Sequence, residues 1–396
     1  MIIKPKFRGF ICTTSHPVGC AHSVQDQISY IKKQKPIPGP KKVLVIGAST
    51  GYGLASRIAA TFGSGASTIG IFLEKPASNT NTATAGWYNT AAFEKAAIEE
   101  GYYAKSINGD AFADQIKEKT IELIREDLGQ VDLVVYSIAA PRRTHPVTGE
   151  VFSSVIKPIA SSFTSKTVDM NSNEIVDVTL EPASEEEIRS TVAVMGGEDW
   201  ERWIQFLNDA GVLAHGATTI GYSYIGPTIT YPIYKEGTIG RAKDHLYATS
   251  KKINNQLKGI SGRAFVAVNK ALVTQASAAI PVVPLYLMLL SRVMDRKSLD
   301  ENCIQQMYRL LANKLYETDK PSSTDNLIRI DDYEMRDDVQ EEISKLWGKM
   351  YEGDITIIPD IEEYRKEFFK LFGFGWQDVD YDQDVNEDVL IPSIKL

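Results

Sequence analysis

The sequence predicts an α/β protein: a doubly wound parallel sheet with insertions covering the active site. Three observations carry that expectation. Short apolar runs alternate with helix-length amphipathic segments through the first 140 residues, which is the pattern of parallel strands joined by right-handed crossovers. A glycine-rich turn, Gly47-Ala-Ser-Thr-Gly51-Tyr-Gly53, joins the first apolar run to the first of these helices. The 396 residues are 43% hydrophobic and 24% charged, a globular composition that excludes disordered, collagen-like and coiled-coil chains.

The elements follow in order. Residues 1–40 read as an N-terminal extension. Residues 41–140 read as the first half of a dinucleotide-binding core, with a strand at Val43–Ile46 and a helix at Leu54–Phe62. A second buried strand at Ile69–Leu73 leads to a helix at Ala91–Glu100, behind Gly86 and Trp87. Tyr103–Ile107 is a third strand, an amphipathic helix runs from about Ala111 to Asp127, and Val131–Tyr136 is a fourth strand. The pattern weakens after Pro141, so 141–216 reads as an insertion of loops, a hairpin including Glu174–Leu180, and a helix carrying Trp200 and Trp203. Ser184-Glu-Glu-Glu187 opens that helix as a capping box. Residues 217–275 read as the catalytic half of the core, with strands at Thr218–Ser223 and Ala264–Val268 around a helix at Gly240–Leu257. Residues 276–396 read as a substrate lid and helical elaboration ending in a solvated acidic tail, Asp378–Asp388. With no internal repeat and no clean linker, the chain reads as a single elaborated domain over 1–396.

Composition narrows the function. With 43 Lys and Arg against 51 Asp and Glu, the formal charge is −8, which argues against a nucleic-acid partner or an anionic membrane held by net charge. Three cysteines do not make a disulfide framework. No signal h-region is visible, and the longest apolar stretch, Ala276–Leu290, is short and broken by Pro281 and Pro284, so a cytoplasmic protein without membrane insertion is expected. Cys12, His16, Cys20 and His22 are zinc-ligand residue types, but their spacing matches no familiar site and Pro17 and Gly19 interrupt them; no metal is expected.

The glycine turn lies between strand and helix, where tight turning, close backbone approach and free helix N–H groups suit a pyrophosphate. Glu74 ends the second strand; a carboxylate there accepts from both adenosine ribose hydroxyls and repels a 2′-phosphate, predicting NADH over NADPH. The G-x-x-x-G-x-G spacing resembles that of short-chain dehydrogenases/reductases, on a Rossmann-like sheet, which use a Tyr–Lys pair. Two pairs compete: Tyr247 with Lys251, at the common x3 spacing, and Tyr234 with Lys243, at x8. In the resembled family the tyrosine follows the fifth strand by about a dozen residues, which fits Tyr234. Nine residues is about two and a half helical turns, so Tyr234 and Lys243 cannot share one face of a continuous helix. Gly237 and Gly240 allow the chain to turn between them, placing Tyr234 before the helix and Lys243 within it.

Tyr-x8-Lys, with Ala85–Asn89, Tyr136–Arg142, Val194–Trp200, Tyr222–Pro227 and Val268–Ser277 in order, resembles the V-type enoyl-acyl carrier protein reductases and the trans-2-enoyl-CoA reductases over essentially the whole chain. That resemblance implies NADH-dependent reduction of the trans-2 double bond of enoyl thioesters, on acyl carrier protein or CoA, as the last step of a fatty-acid elongation cycle. It implies Tyr234 and Lys243 as the catalytic pair, Lys243 also at the nicotinamide ribose. Gly47, Ala48, Ser49, Thr50, Gly51 and Tyr52 would hold the pyrophosphate, and Leu73 and Glu74 the adenosine ribose. Asp110 and Ala111 would meet the adenine, Ile138 and Ala139 the nicotinamide half, Leu272, Val273 and Thr274 the nicotinamide end, and Tyr224 the substrate thioester. Asp244 stands where some members have a second lysine. On chemical grounds, a nearby ammonium together with the oxidised cofactor ring is expected to lower the Tyr234 phenol. Arg142 and Arg143 read as a solvated pair, with contact to a CoA or phosphopantetheine phosphate as the alternative, and His215 and His245 as bystanders. Ile280–Leu290 reads either as core or as an acyl tunnel wall. A monomer is expected. Two rivals remain: a ketone or alcohol dehydrogenase using Tyr247 and Lys251, and a non-catalytic NADH sensor.

Overall fold

The computed structural model describes residues 1–8, 11–78, 81–169, 174–278, 280, 282–317, 325–351 and 361–394. Its centre is a seven-stranded parallel sheet: β1 (Lys42–Ile46), β2 (Ser67–Phe72), β3 (Ala104–Asn108), β4 (Val131–Tyr136), β5 (Leu213–Ser223), β6 (Arg263–Val268) and β7 (Leu327–Arg329), in spatial order 3-2-1-4-5-6-7. The order reverses between β1 and β4, so the loops leaving their C-terminal ends diverge and open a crevice. Val43–Ile46 are completely buried, as strands covered on both faces must be.

One face carries α1 (Pro17–Lys32), α2 (Gly51–Ile58) and α3 (Ala85–Glu99), with Ile28, Ile31, Leu54, Ile58 and Phe93 in a shared core. The other carries α4 (Asp114–Leu123), α5 (Glu185–Met195), α6 (Glu198–Asp209) and α7 (Thr238–Gln256), with Trp200, Trp203 and Leu246 packed onto β1, β2 and β4. Further along the chain come α8 (Val283–Arg296), α9 (Cys303–Arg309), α10 (Asp337–Tyr351) and α11 (Ile361–Lys370); α9 packs on the first face, with Ile304 and Met307 in that core, and α8 and α10 build a separate apolar cluster beyond the crevice. No helix among the described residues is long and apolar enough to cross a membrane.

The expected strands are present, and four local readings are corrected. The Ser184 capping box forms, but the helix it opens stops at Met195, and Trp200 and Trp203 lie on α6 after a break at Gly196 and Gly197. There the His245 ring approaches Gly197 and accepts its N–H (3.0 Å). Gly86 and Trp87 lie inside α3 rather than before it. The C-terminal region, expected to be mostly helical, also supplies β7, the edge strand beside β6. The acidic tail is anchored: Trp87 Nε1 donates to Val389 O and Tyr88 Oη to Glu387 O, both at 2.7 Å. The expected hairpin forms from Phe163–Asp169 and Glu174–Leu180.

Candidate active site

The glycine turn leaves β1 with Gly47 at φ +87° and Gly51 at φ +52°, conformations that disfavour any side chain. A Cβ on Gly47 would lie 2.1 Å from Ser137 O, and one on Gly53 1.8 Å from Gly47 O, so neither position admits even alanine. Thr50 caps α2 without a side-chain hydrogen bond, and its first turn holds no acidic residue. The N-terminal amides of α2 therefore remain available to an anion. The turn fits a dinucleotide pyrophosphate. Ala48 is fully buried beneath it.

Glu74 leaves β2, and its carboxylate accepts from Ser49 Oγ at 2.7 Å. Its backbone N–H donates to Asn108 Oδ1 and its carbonyl accepts from Asn108 Nδ2, both at 2.9 Å. A Cβ at Gly86 would meet Glu74 Oε1 at 2.0 Å, which is why α3 carries glycine in its first turn. Burial pushes the Glu74 carboxyl up, opposed by hydrogen bonds from Thr84 and Ser49. Leu73, 70% exposed, forms the rim. Past β3, the carbonyl of Ala111 accepts from both Lys117 Nζ (2.9 Å) and Trp203 Nε1 (3.0 Å). Lys117 is itself buried against Asp199 at 2.9 Å, so the Asp110–Ala111 turn is rigidly backed.

A cavity of about 1490 Å³ is lined by Gly47, Ser49–Tyr52, Leu73, Glu74, Asp110, Ala111, Ile138, Ala139 and Leu272–Thr274. All of the predicted cofactor residues except Ala48 and Lys243 thus share one space. Tyr52 joins its two ends: the hydroxyl lies 2.7 Å from Lys270 O and 3.1 Å from Gln306 Oε1. Leu287, Met288, Leu290 and Arg142 also line it. Arg143, expected to be solvated, is instead buried, donating to Ala193 O (2.7 Å) and Glu198 (3.0 Å).

The catalytic candidates lie outside that lining. Tyr234 occupies the turn before α7 and Lys243 its second turn, as the spacing required. Tyr234 is 8% exposed and packs edge-on against Tyr224, with ring centroids 4.9 Å apart at 77°. Tyr224 in turn packs into the apolar cluster that contains Ala271 and Val273 of the cavity wall. Burial raises the Tyr234 phenol, with Tyr247 and Glu334 adding to the rise. Lowering was expected from a nearby ammonium together with the oxidised cofactor ring; among the protein's own groups burial dominates and the shift is upward. Lys243 Nζ donates only a long 3.5 Å hydrogen bond to Tyr222 O, and burial lowers its pKa to about 8. Tyr247 Oη lies 2.9 Å from Ser223 Oγ, while Lys251 is exposed; the rival pair does not share a pocket.

Sequence reasoning missed Glu334, a buried carboxyl that accepts from Tyr224 Oη at 2.9 Å. Nothing in its local string marks it. The cysteine–histidine string serves structure: His16 Nδ1 caps α1 by accepting from Gly19 N (3.2 Å), and His22 stacks on Trp376.

The fold and its crevice define a nicotinamide-dinucleotide-dependent oxidoreductase with a Rossmann-like sheet. Family comparisons match residues 81–316 to the trans-2-enoyl-CoA reductase catalytic region and residues 2–79 to the NAD(P)H binding domain of trans-2-enoyl-CoA reductase. The chain is 60% identical to the trans-2-enoyl-CoA reductase [NADH] of Ruminiclostridium cellulolyticum and 56% identical to the enoyl-[acyl-carrier-protein] reductase [NADH] of Cytophaga hutchinsonii, over 100% of each chain. The crystal structure of Treponema denticola trans-2-enoyl-CoA reductase in complex with NAD superposes with a TM-score of 0.92 at 47% identity, covering 98% of both chains. The chain belongs to the trans-2-enoyl-CoA reductase family.

Residues 323–385 match an enoyl reductase FAD binding domain. The described residues among them do not fit a flavin dinucleotide. The helices they supply open with Asp337 and Asp338, and with Glu362 and Glu363, acidic first turns that repel a pyrophosphate.

Proposed function

We propose that this chain reduces the trans-2 double bond of enoyl thioesters with NADH, using Tyr234 as the acid and Lys243 as its cationic neighbour. The observation that carries the reading is a single cavity joining the α2 phosphate turn and Glu74 to Leu272–Thr274, with the Tyr234 turn packed behind that wall. When bound, NADH supplies hydride to the β-carbon of the thioester. Negative charge then develops on the thioester oxygen, and the Tyr234 phenol supplies the proton that ends on the α-carbon; the phenolate left behind is reprotonated from solvent once product leaves. The Tyr234 hydroxyl donates a hydrogen bond to that oxygen, one that strengthens as charge builds. Burial keeps this phenol protonated until it is needed, and excludes water from the enolate. Lys243, protonated below about pH 8, holds the ribose hydroxyls and supplies positive potential. Tyr224 contacts the thioester, and Glu74 selects against a 2′-phosphate.

Relatives are named for both carriers, so the thioester is presented on CoA or on acyl carrier protein. We further propose a monomer acting in the cytoplasm. The test is NADH oxidation with crotonyl-CoA, beside NADPH and beside Tyr234→Phe. Turnover that falls at least about 100-fold in the variant with NADH affinity retained supports the assignment; near-normal turnover in Tyr234→Phe removes Tyr234 as the acid.

A further inference from the structure

Behind Tyr224, three segments converge on one carboxyl. Glu334 lies in the turn that follows β7 and is completely buried. Its Oε1 accepts from Tyr224 Oη at 2.9 Å and from Tyr286 Oη of α8 at 2.7 Å. Its Oε2 accepts the backbone N–H of Ala271 at 2.7 Å. Gln340 of α10 closes the arrangement, donating to Tyr286 Oη (3.2 Å) and to Glu334 O (2.7 Å).

A carboxyl is an expensive way to fill a core, because its desolvation is matched only by good hydrogen bonds. Here the partners are hydroxyls and an amide, and burial pushes the carboxyl up. Those partners are not arbitrary. The Tyr224 ring abuts Tyr234, and Ala271 opens the Leu272–Thr274 segment that lines the cofactor cavity. One side chain therefore fixes the rotor of a hydroxyl, the ring against which the acid packs, and the backbone at the nicotinamide end. A network satisfied this fully holds geometry more strictly than apolar packing does.

We infer that Glu334 is a positioning residue for enoyl reduction, acting through the Tyr224 hydroxyl and the Ala271 amide. This rests on Tyr224 being the hydroxyl that meets the substrate. Gln at this position keeps the volume, but one of its two polar atoms must present N–H groups where only acceptors are wanted. That misplaces either the tyrosine hydroxyls or the Ala271 amide.

The test is a double-mutant cycle of Glu334→Gln and Tyr224→Phe on the full chain, with crotonyl-CoA and NADH. Glu334→Gln is expected to lower kcat at least about 10-fold with KM for NADH within about twofold. In the Tyr224→Phe background the same change should cost less than about threefold, the share that still passes through the Ala271 amide. Costs that multiply, or wild-type turnover in Glu334→Gln, overturn the inference. Normal turnover in Tyr224→Phe alone also overturns it, and assigns the fault to the reading of Tyr224. Should Glu334→Gln melt below the assay temperature, Tyr286→Phe carries the same cycle by removing one Oε1 donor. Its cost must likewise vanish on Tyr224→Phe, and a cost that persists refutes the coupling.

Discussion

Replacing Lys243 by methionine should stabilise the unliganded protein while removing its activity. The ammonium has no acidic partner among the described residues, only the 3.5 Å bond to Tyr222 O, and burial takes its pKa from 10.5 to about 8. That displacement corresponds to about 3 kcal/mol, at ~1.4 kcal/mol for each tenfold change. Lys243 retains partial solvent contact, and screening reduces the figure to about 1–2 kcal/mol. Methionine matches lysine in length and helix propensity. The sign follows from proton counting. Below about pH 8 both folded and unfolded chains carry the proton, and the folded chain bears the full cost. Between about 8 and 10.5 the folded chain releases it first, so wild-type stability rises with pH and the advantage of Lys243→Met shrinks; above 10.5 it is gone. Thermal melts without cofactor at pH 7 and pH 10 measure this directly. The variant should melt a few degrees higher at pH 7 and much closer to wild type at pH 10, with turnover down at least about 100-fold. A variant less stable than wild type at pH 7, or an unchanged gap at pH 10, refutes the reasoning.

Gly53→Ala puts a methyl 1.8 Å from Gly47 O, so NADH binding measured by fluorescence should fall below detection, and ordinary affinity would show that the turn can shift. Glu74→Ala removes the negative charge beside the ribose site and should narrow the preference for NADH over NADPH by about 10-fold or more in kcat/KM; an unchanged ratio would place selectivity elsewhere. Tyr247→Phe loses only the bond to Ser223 and should keep at least about half of wild-type turnover, whereas inactivation would move the acid role to the Tyr247–Lys251 pair.

Much of the core was legible because parallel strands buried on both faces leave short apolar runs. The glycines of the first turn were legible because backbone closeness tolerates nothing else: Gly47 and Gly53 each face a carbonyl. The position of Tyr234 before α7 followed from the strand-to-tyrosine distance of the resembled family, with helical geometry excluding one continuous helix for Tyr234 and Lys243. What stayed hidden was set by distant contacts. β7 is three residues long and gains its place from pairing with β6, and no periodicity can show in so short a run. The acidic tail looked solvated because its charges do face outward, whereas its anchoring is made by backbone carbonyls to Trp87 and Tyr88, which carry no sequence signal. Arg143 was misread for the related reason that its partners, Ala193 O and Glu198, lie 50 and 55 residues away.

Glu334 shows where such reading stops for the site itself. The phosphate turn and the Tyr–Lys spacing are local devices, written within about ten residues, and they locate the chemistry. The carboxyl behind Tyr224 meets partners 48 to 110 positions away, joined because β7 pairs beside β6 and returns the chain to the crevice. The same unpredicted strand thus delivers the unpredicted side chain. On the proposed role of Tyr224, the C-terminal region sets the orientation of that hydroxyl through Glu334, and its mutations should register in kcat before they register in cofactor affinity.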